Sequence, residues 1–261
     1  MVDLKAIADQ YDIDLEQLQV EKGEVSLEVL QAYIVEHFYP RIQKEEKLLG
    51  FRKVIAERLS ESYRNAVHVT INMDIDPTNL LVLKEKTQGN PSLTVIMLKL
   101  VAFALKDCPN LNATLEDNVI KVYDSVNICV AVDAPYGLVT PVIRDVDKKS
   151  VADLVTEYED VVSRARAGQL KEKDFVGGTF TITNLGMLGV DSFTPVINPP
   201  QVAILGINRI KDVVVLENNE PRLAKSMTLS LSVDHRVVDG APGARFLQKV
   251  KEYFENASAL E

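Results

Sequence analysis

The sequence predicts a two-layer α/β sandwich preceded by a small helical unit, and three observations carry that prediction. After residue 50, strand-like stretches alternate with long stretches of helical periodicity, the order that lays helices against a sheet. Residues 227–233 read Met-Thr-Leu-Ser-Leu-Ser-Val, apolar alternating with small polar, as in a strand buried on one face. At 261 residues with a 46% apolar fraction, the chain is long enough to bury a sizeable core.

Taken in order, residues 4–11 have helical spacing, Asp12, Ile13 and Asp14 make a turn, and Ser26 is placed to cap a second helix running through Tyr33 or beyond. Residues 1–36 therefore form a two-helix unit, 37–48 a polar linker, and 49–258 the main domain. Within that domain helices are predicted over 51–66, 78–87, 92–106, 150–167 and 243–256. Strands are predicted near 67–75, 126–134, 139–142, 179–183, 202–207, 213–216 and 227–233. The last helix follows the turn Gly240-Ala241-Pro242-Gly243 and carries Phe246, Leu247, Val250, Tyr253 and Phe254 on one face.

Composition excludes several classes. The longest apolar stretch, 93–105, is interrupted by Lys99 and is too short to span a bilayer, and no basic-then-apolar leader opens the chain. A net charge of −9 without a basic stripe argues against nucleic acid. Cys108 and Cys129 stand alone, so neither a metal site nor a disulfide framework is expected, and the expected compartment is reducing, the cytoplasm. No P-loop, dinucleotide fingerprint or Gly-x-Ser-x-Gly elbow occurs.

The chemistry concentrates at the end of strand 227–233. His235, one of three histidines, sits where that strand gives way to a turn, four residues before Asp239. Imidazole moves protons well near neutral pH, and a neighbouring carboxylate can fix such a ring or its loop. On spacing alone a histidine and an aspartate so arranged are more often structural than catalytic.

The string Asp234-His235-Arg236-Val237-Val238-Asp239-Gly240 resembles the active-site motif of the dihydrolipoamide acyltransferases, the E2 components of 2-oxo acid dehydrogenase complexes. Chloramphenicol acetyltransferases share it in looser form. Three further blocks are similar to family blocks, in family order: residues 137–144 (Gly-Leu-Val-Thr-Pro-Val-Ile-Arg), 178–186 (Gly-Thr-Phe-Thr-Ile-Thr-Asn-Leu-Gly) and 198–206 (Asn-Pro-Pro-Gln-Val-Ala-Ile-Leu-Gly). The resemblance covers roughly 49–256.

It implies the chloramphenicol-acetyltransferase-like fold with a mixed sheet, and a homotrimer with each active site between two subunits. It also implies acyl transfer between dihydrolipoamide and coenzyme A. His235 matches the base that deprotonates the attacking thiol. Thr183 matches the hydroxyl that faces the oxyanion, where most relatives carry serine, and a strand threonine kept for β-propensity is the other reading. Asp239 matches an acid that holds the loop through an arginine, with Arg52 the candidate by position and a solvated arginine the alternative. His68 is expected to be structural, and His37 to lie in the linker. The coenzyme A contacts are unassigned, and no metal is implied.

The block 183–189 (Thr-Asn-Leu-Gly-Met-Leu-Gly) is more similar to acetyl-transferring relatives than to succinyl or branched-chain ones. Related trimers join into cubic or dodecahedral cores through an apolar C-terminal tail, and residues 254–260 are less apolar than that tail. No segment has the look of a lipoylation hairpin, so the lipoyl group is expected from another domain or chain. A transit peptide removed before Met1 would instead place the protein in the mitochondrial matrix.

Residues 1–36 resemble the family's peripheral subunit-binding domain, but Val20-Glu21-Lys22-Gly23-Glu24-Val25 replaces its glycine-rich, arginine-bearing loop. Residues 1–48 carry eleven Asp/Glu against five Lys/Arg. That balance leaves binding of the partner enzymes, E1 and E3, open beside a solvated cap. Two other functions stay open: a noncatalytic scaffold that organises partner enzymes, and a stand-alone acetyltransferase acting on a small hydroxylated acceptor.

Overall fold

The computed structural model describes residues 3–89 and 91–256, in two compact units that divide after Leu48. The first holds three helices, α1 (Leu4–Asp9), α2 (Leu15–Lys22) and α3 (Leu27–Phe38), where two were expected. Each starts on a side-chain cap: Asp3 accepts from the amides of Lys5 and Ala6, Asp14 from Glu16 and Gln17, and Ser26 from Val29. The additional helix, α2, is the one Asp14 caps, and Leu18 ties it to the unit's own core of Ala8, Leu30 and Ile34. His37 belongs to the last turn of α3 and not to a linker. Its Nδ1 lies 2.9 Å from the Tyr33 carbonyl oxygen, and the two rings stack.

The second unit runs α4 (Gly50–Asn65), β1 (His68–Ile75), α5 (Thr78–Lys86), α6 (Leu93–Asp107), β2 (Ala113–Glu116), β3 (Val119–Val122), β4 (Ile128–Val130), β5 (Val132–Ala134), β6 (Gly137–Val139) and β7 (Val142–Ile143). It continues with α7 (Val151–Arg166), β8 (Phe180–Asn184), β9 (Ala203–Glu217), β10 (Glu220–Asp234) and α8 (Gly240–Asn256). One six-stranded sheet is ordered β1-β10-β9-β8-β4-β7, and β8 runs parallel to both β4 and β9 while the remaining pairs are antiparallel. The sheet is therefore mixed, as expected, with helices packed on one face.

Several strand expectations change. The stretch 126–134 divides, because β5 leaves the main sheet to pair with β6, and 139–142 divides as well, between the end of β6 and β7 of the main sheet. Residues 202–207 and 213–216 belong to one strand, β9, which turns into β10 at Asn218 and Asn219. Both asparagines have positive φ (52° and 65°), as a type I′ hairpin turn requires. The β2–β3 hairpin was not expected at all.

Alternation gives the sheet two unlike faces. Met227, Leu229, Leu231 and Val233 of β10 point into the core with Phe180, Ile182, Leu205, Phe246 and Val250. Ser230, Ser232, Thr181 and Asn208 are buried on the opposite, polar face, where the Thr70 and Ser232 hydroxyls hydrogen-bond at 2.8 Å. Lys99, the polar interruption in α6, donates to the carbonyls of Val146 (3.3 Å), Asp147 (2.7 Å) and Lys149 (2.6 Å), so its charge caps a loop from inside.

Phe246 of α8 lies fully buried, its ring centroid 5.7 Å from that of Phe180 on β8. Phe246→Ala is expected to cost about 3–5 kcal/mol, read from urea unfolding. A loss below about 1 kcal/mol would mean that the layers do not meet through this ring.

Candidate active site

Strand β10 ends at Asp234, and the residues that follow turn away from the sheet into α8. The turn is pinned from beneath. The Asp234 carbonyl accepts from the amides of Val237 and Val238 (2.9 Å each), the Asp234 amide donates to Val202 O (2.8 Å), and the His235 amide donates to Val67 O (2.8 Å). Above this base the His235 side chain is 41% exposed and that of Asp239 80% exposed, with Nδ1 3.8 Å from Asp239 Oδ1. The structure thus brings His235 and Asp239 together without a hydrogen bond between them.

Arg52, the arginine expected to hold Asp239, lies elsewhere in the single chain. In the single chain Asp239 has no arginine partner among the described residues, and Arg52 lies against Gly137 of β6. Arg236 instead clamps Asp234. Its Nη2 donates to Oδ2 at 2.6 Å, its Nε reaches both oxygens at 3.0 and 3.1 Å, and the amides of Arg236 (3.1 Å) and Val67 (3.2 Å) donate to Oδ1. The physical reason is convergence. The end of β10 gathers N–H donors around Asp234, whereas Asp239 projects into solvent.

Burial of Asp234 opposes its charge, but Arg236 and the two amides outweigh it and hold the carboxyl below the ordinary carboxylate range. A carboxyl whose pKa is lowered on folding adds stability that is complete above its unfolded value, about 3.9, and is lost as pH falls through the lower folded value. Asp234→Asn is accordingly expected to lower stability by about 1–3 kcal/mol at neutral pH. The gap between parent and variant urea midpoints should close below about pH 4. A gap of unchanged size at still lower pH would rule out the ion pair as its source.

Thr183 lies on β8, pointing with Thr181 to the polar face of the sheet, half-buried. It pairs with Gly206, which in turn pairs with Ser230, five residues before His235 on β10. Two strand spacings of about 4.8 Å and five residues of about 3.4 Å put the two backbone positions roughly 19 Å apart within one chain. The chain therefore does not bring Thr183 to its own His235. Gly206 has a local reason to be glycine: a Cβ there would meet the Phe193 ring at 2.8 Å, and that ring covers the polar face beside Thr183.

His68 is held by backbone groups in the single chain. Its Nε2 accepts from the Ile197 amide (3.2 Å) while Nδ1 lies 3.2 Å from Ala66 O, a pattern that assigns the Nδ1–H tautomer. Sequence reasoning gave no part to a buried trio on the polar face, where Thr181 Oγ1 donates to Gln201 Oε1 (2.5 Å) and Gln201 Nε2 donates to Cys129 Sγ (3.1 Å). Burial pushes the Cys129 thiol pKa up. A cleft of about 450 Å³ opens beside Asp234 and Arg236, between α4, the β2–β3 turn and residues 197–201. A second, about 530 Å³, runs along α8 past Pro242, Arg245 and Lys249 and touches none of His235, Asp239 or Thr183. Among the described residues no three of His, Cys, Asp and Glu gather as a metal-ligand set, and no helix is long and apolar enough to cross a membrane.

Residues 40–261 match the family described as 2-oxoacid dehydrogenases acyltransferase (catalytic domain). The chain belongs to this family. Its relatives include the dihydrolipoyllysine-residue acetyltransferase components of the pyruvate dehydrogenase complexes of Rickettsia bellii, 39% identical over 81% of this chain, and of Dictyostelium discoideum mitochondria, 40% identical over 81%. The chain spans 52% and 34% of the length of those two relatives.

Among solved structures, Azotobacter vinelandii dihydrolipoamide acetyltransferase superposes with a TM-score of 0.81 at 32% identity, covering 86% of this chain and 96% of that one. That structure addresses the role of a serine, a histidine and an asparagine in the catalytic mechanism, the last two four positions apart. The cubic core of a pyruvate dehydrogenase multienzyme complex gives the same TM-score, identity and coverage. A chloramphenicol acetyltransferase, 12% identical with a TM-score of 0.51, covers 80% of this chain and is itself covered in full, so the two share the fold.

Proposed function

We propose that this chain transfers an acyl group, acetyl in the first instance, between the thiols of dihydrolipoamide and coenzyme A. The observation that carries the reading is the exposed imidazole of His235, raised on a pinned strand end in a member of the acyltransferase family. A thiol is mostly protonated at pH 7, its pKa being about 8.5, so a base that takes the proton as sulfur attacks speeds the step. His235 accepts that proton while the attacking sulfur bonds to the thioester carbonyl. The tetrahedral oxyanion then collapses, the C–S bond to the first carrier breaks, and the imidazolium returns the proton to the departing sulfur.

Thr183 supplies the oxyanion donor from a neighbouring subunit of a homotrimer, which the separation of roughly 19 Å within one chain supports. In the Azotobacter enzyme a serine, a histidine and an asparagine are the residues at issue. Here Thr183, His235 and Asp239 would stand in those places, with Asp239 holding the loop. Lipoyl groups come from another domain or chain. The trimer is read as the building block of a larger core like the cubic assembly its structural relative forms.

Residues 49–258 would form the catalytic domain, and the described part of it ends at residue 256. Residues 1–36 would form a subunit-binding module whose acidic surface selects partners other than the usual E1 and E3 surfaces. The two free thiols, Cys108 and Cys129, fit a reducing compartment such as the cytoplasm.

The test is acyl exchange between free dihydrolipoamide and acetyl-, propionyl-, succinyl- and branched-chain acyl-coenzyme A. Turnover fastest with acetyl is the expected result. Turnover with none of them would leave the scaffold reading, and a faster longer donor would change the acyl assignment, which a few pocket residues worth about 1–3 kcal/mol can set.

A further inference from the structure

The geometry points to Asp234 and Arg236 as a positioning pair that aims the His235 imidazole, a role that rests on the acyl-transfer reading. Neither side chain reaches the ring. Both act on the backbone that carries it, one residue to either side.

Three observations support this. First, among the described residues no hydrogen bond fixes the aim of the His235 ring: the acidic neighbour, Asp239 Oδ1, stands 3.8 Å from Nδ1, outside hydrogen-bond reach. The direction of the side chain therefore follows from the backbone at residues 234–236. Second, that backbone is tied to three separate segments through Asp234: to β1's approach by Val67, to β9's approach by Val202 and to the turn by Arg236, Val237 and Val238. Third, Asp234 is buried while the Arg236 side chain is 42% exposed. A buried carboxylate paired in this way adds little stability over an apolar pair of similar volume. What it fixes is the turn, since the planar guanidinium spans both carboxylate oxygens and so sets the path of residue 236 relative to residue 234.

A base aimed about 1 Å off its thiol can lose on the order of 10²-fold in rate. The experiment compares the parent full chain with Arg236→Gln, Arg236→Lys and Asp234→Asn. It measures kcat and both KM values in acyl exchange, thermal stability, and the imidazole NMR signals of the three histidines, with His235→Ala assigning one of them. Arg236→Gln should fold, because its side chain reaches solvent, and should lower kcat by about 10- to 100-fold with both KM values within about twofold of the parent. Arg236→Lys, which keeps the charge and loses the fork, should fall between. The His235 signals should shift or broaden in both arginine variants while those of His37 stay in place.

A purely structural pair predicts otherwise: lower thermal stability, but folded protein with parental kcat and unmoved His235 signals. That result would overturn the inference, as would raised KM values at constant kcat. Should the parent show no exchange at all, the acyl-transfer reading fails, and unmoved His235 signals in the folded variants would then defeat the positioning role independently.

Discussion

His235→Ala is expected to lower kcat for acyl exchange by about 10²- to 10⁴-fold while leaving the fold intact, because general-base assistance to a thiol is worth about that much. The side chain is part of no core cluster: its ring is half-exposed, and the local structure is held by the His235 amide on Val67 O and by the bonds of Asp234. Stability should therefore stay within about 0.5 kcal/mol of the parent, the usual range for surface changes. Raising the pH toward the thiol pKa should recover part of the lost rate, since the attacking sulfur then ionises without help. A variant that kept parental kcat would remove the imidazole from the mechanism.

Thr183→Ala is expected to cost about 10²- to 10³-fold in kcat with little change in either KM, the signature of a donor used only as negative charge develops. Thr183→Ser should recover most of that loss. The hydroxyl remains, and what goes is a methyl group that restricts χ1. If alanine and serine behaved alike, the position would be acting through packing of its methyl group, and not through its hydroxyl.

Much of the architecture was legible because one face of the sheet is apolar and the other is not. The alternation over 227–233 marks β10 without ambiguity, and the serines Ser26, Ser92 and Ser150 cap the starts of α3, α6 and α7. The sequence hid what depends on weak or nonlocal signals. Asn218 and Asn219 form the hairpin turn without a glycine, so β9 and β10 looked shorter than they are. The α2 helix has only Leu15 and Leu18 to show for an apolar face, and the β2–β3 hairpin breaks the alternation with exposed Val119, Ile120 and Val122.

The site divides in the same way. His235 was visible as a histidine at a strand end, and Thr183 as a hydroxyl on a predicted strand. The pairing of Arg236 with Asp234 was not. Two aspartates flank the histidine in the motif, and the choice of Asp234 depends on amides from residue 67 and the turn converging on it in three dimensions. Likewise the separation of Thr183 from His235 follows from strand order, β8-β9-β10, which spacing along the chain does not contain.

The proposed reaction centre is shared between copies of the chain, His235 from one and Thr183 from the next. Co-expressing His235→Ala with Thr183→Ala in equal amounts tests it most directly, with each variant alone as the baseline. In randomly mixed trimers roughly a quarter of the shared centres would draw both residues intact, so activity should rise from near zero to as much as about a quarter of the parent's. Mixed assemblies, verified by distinct affinity tags, that stay at the level of the separate variants would contradict it.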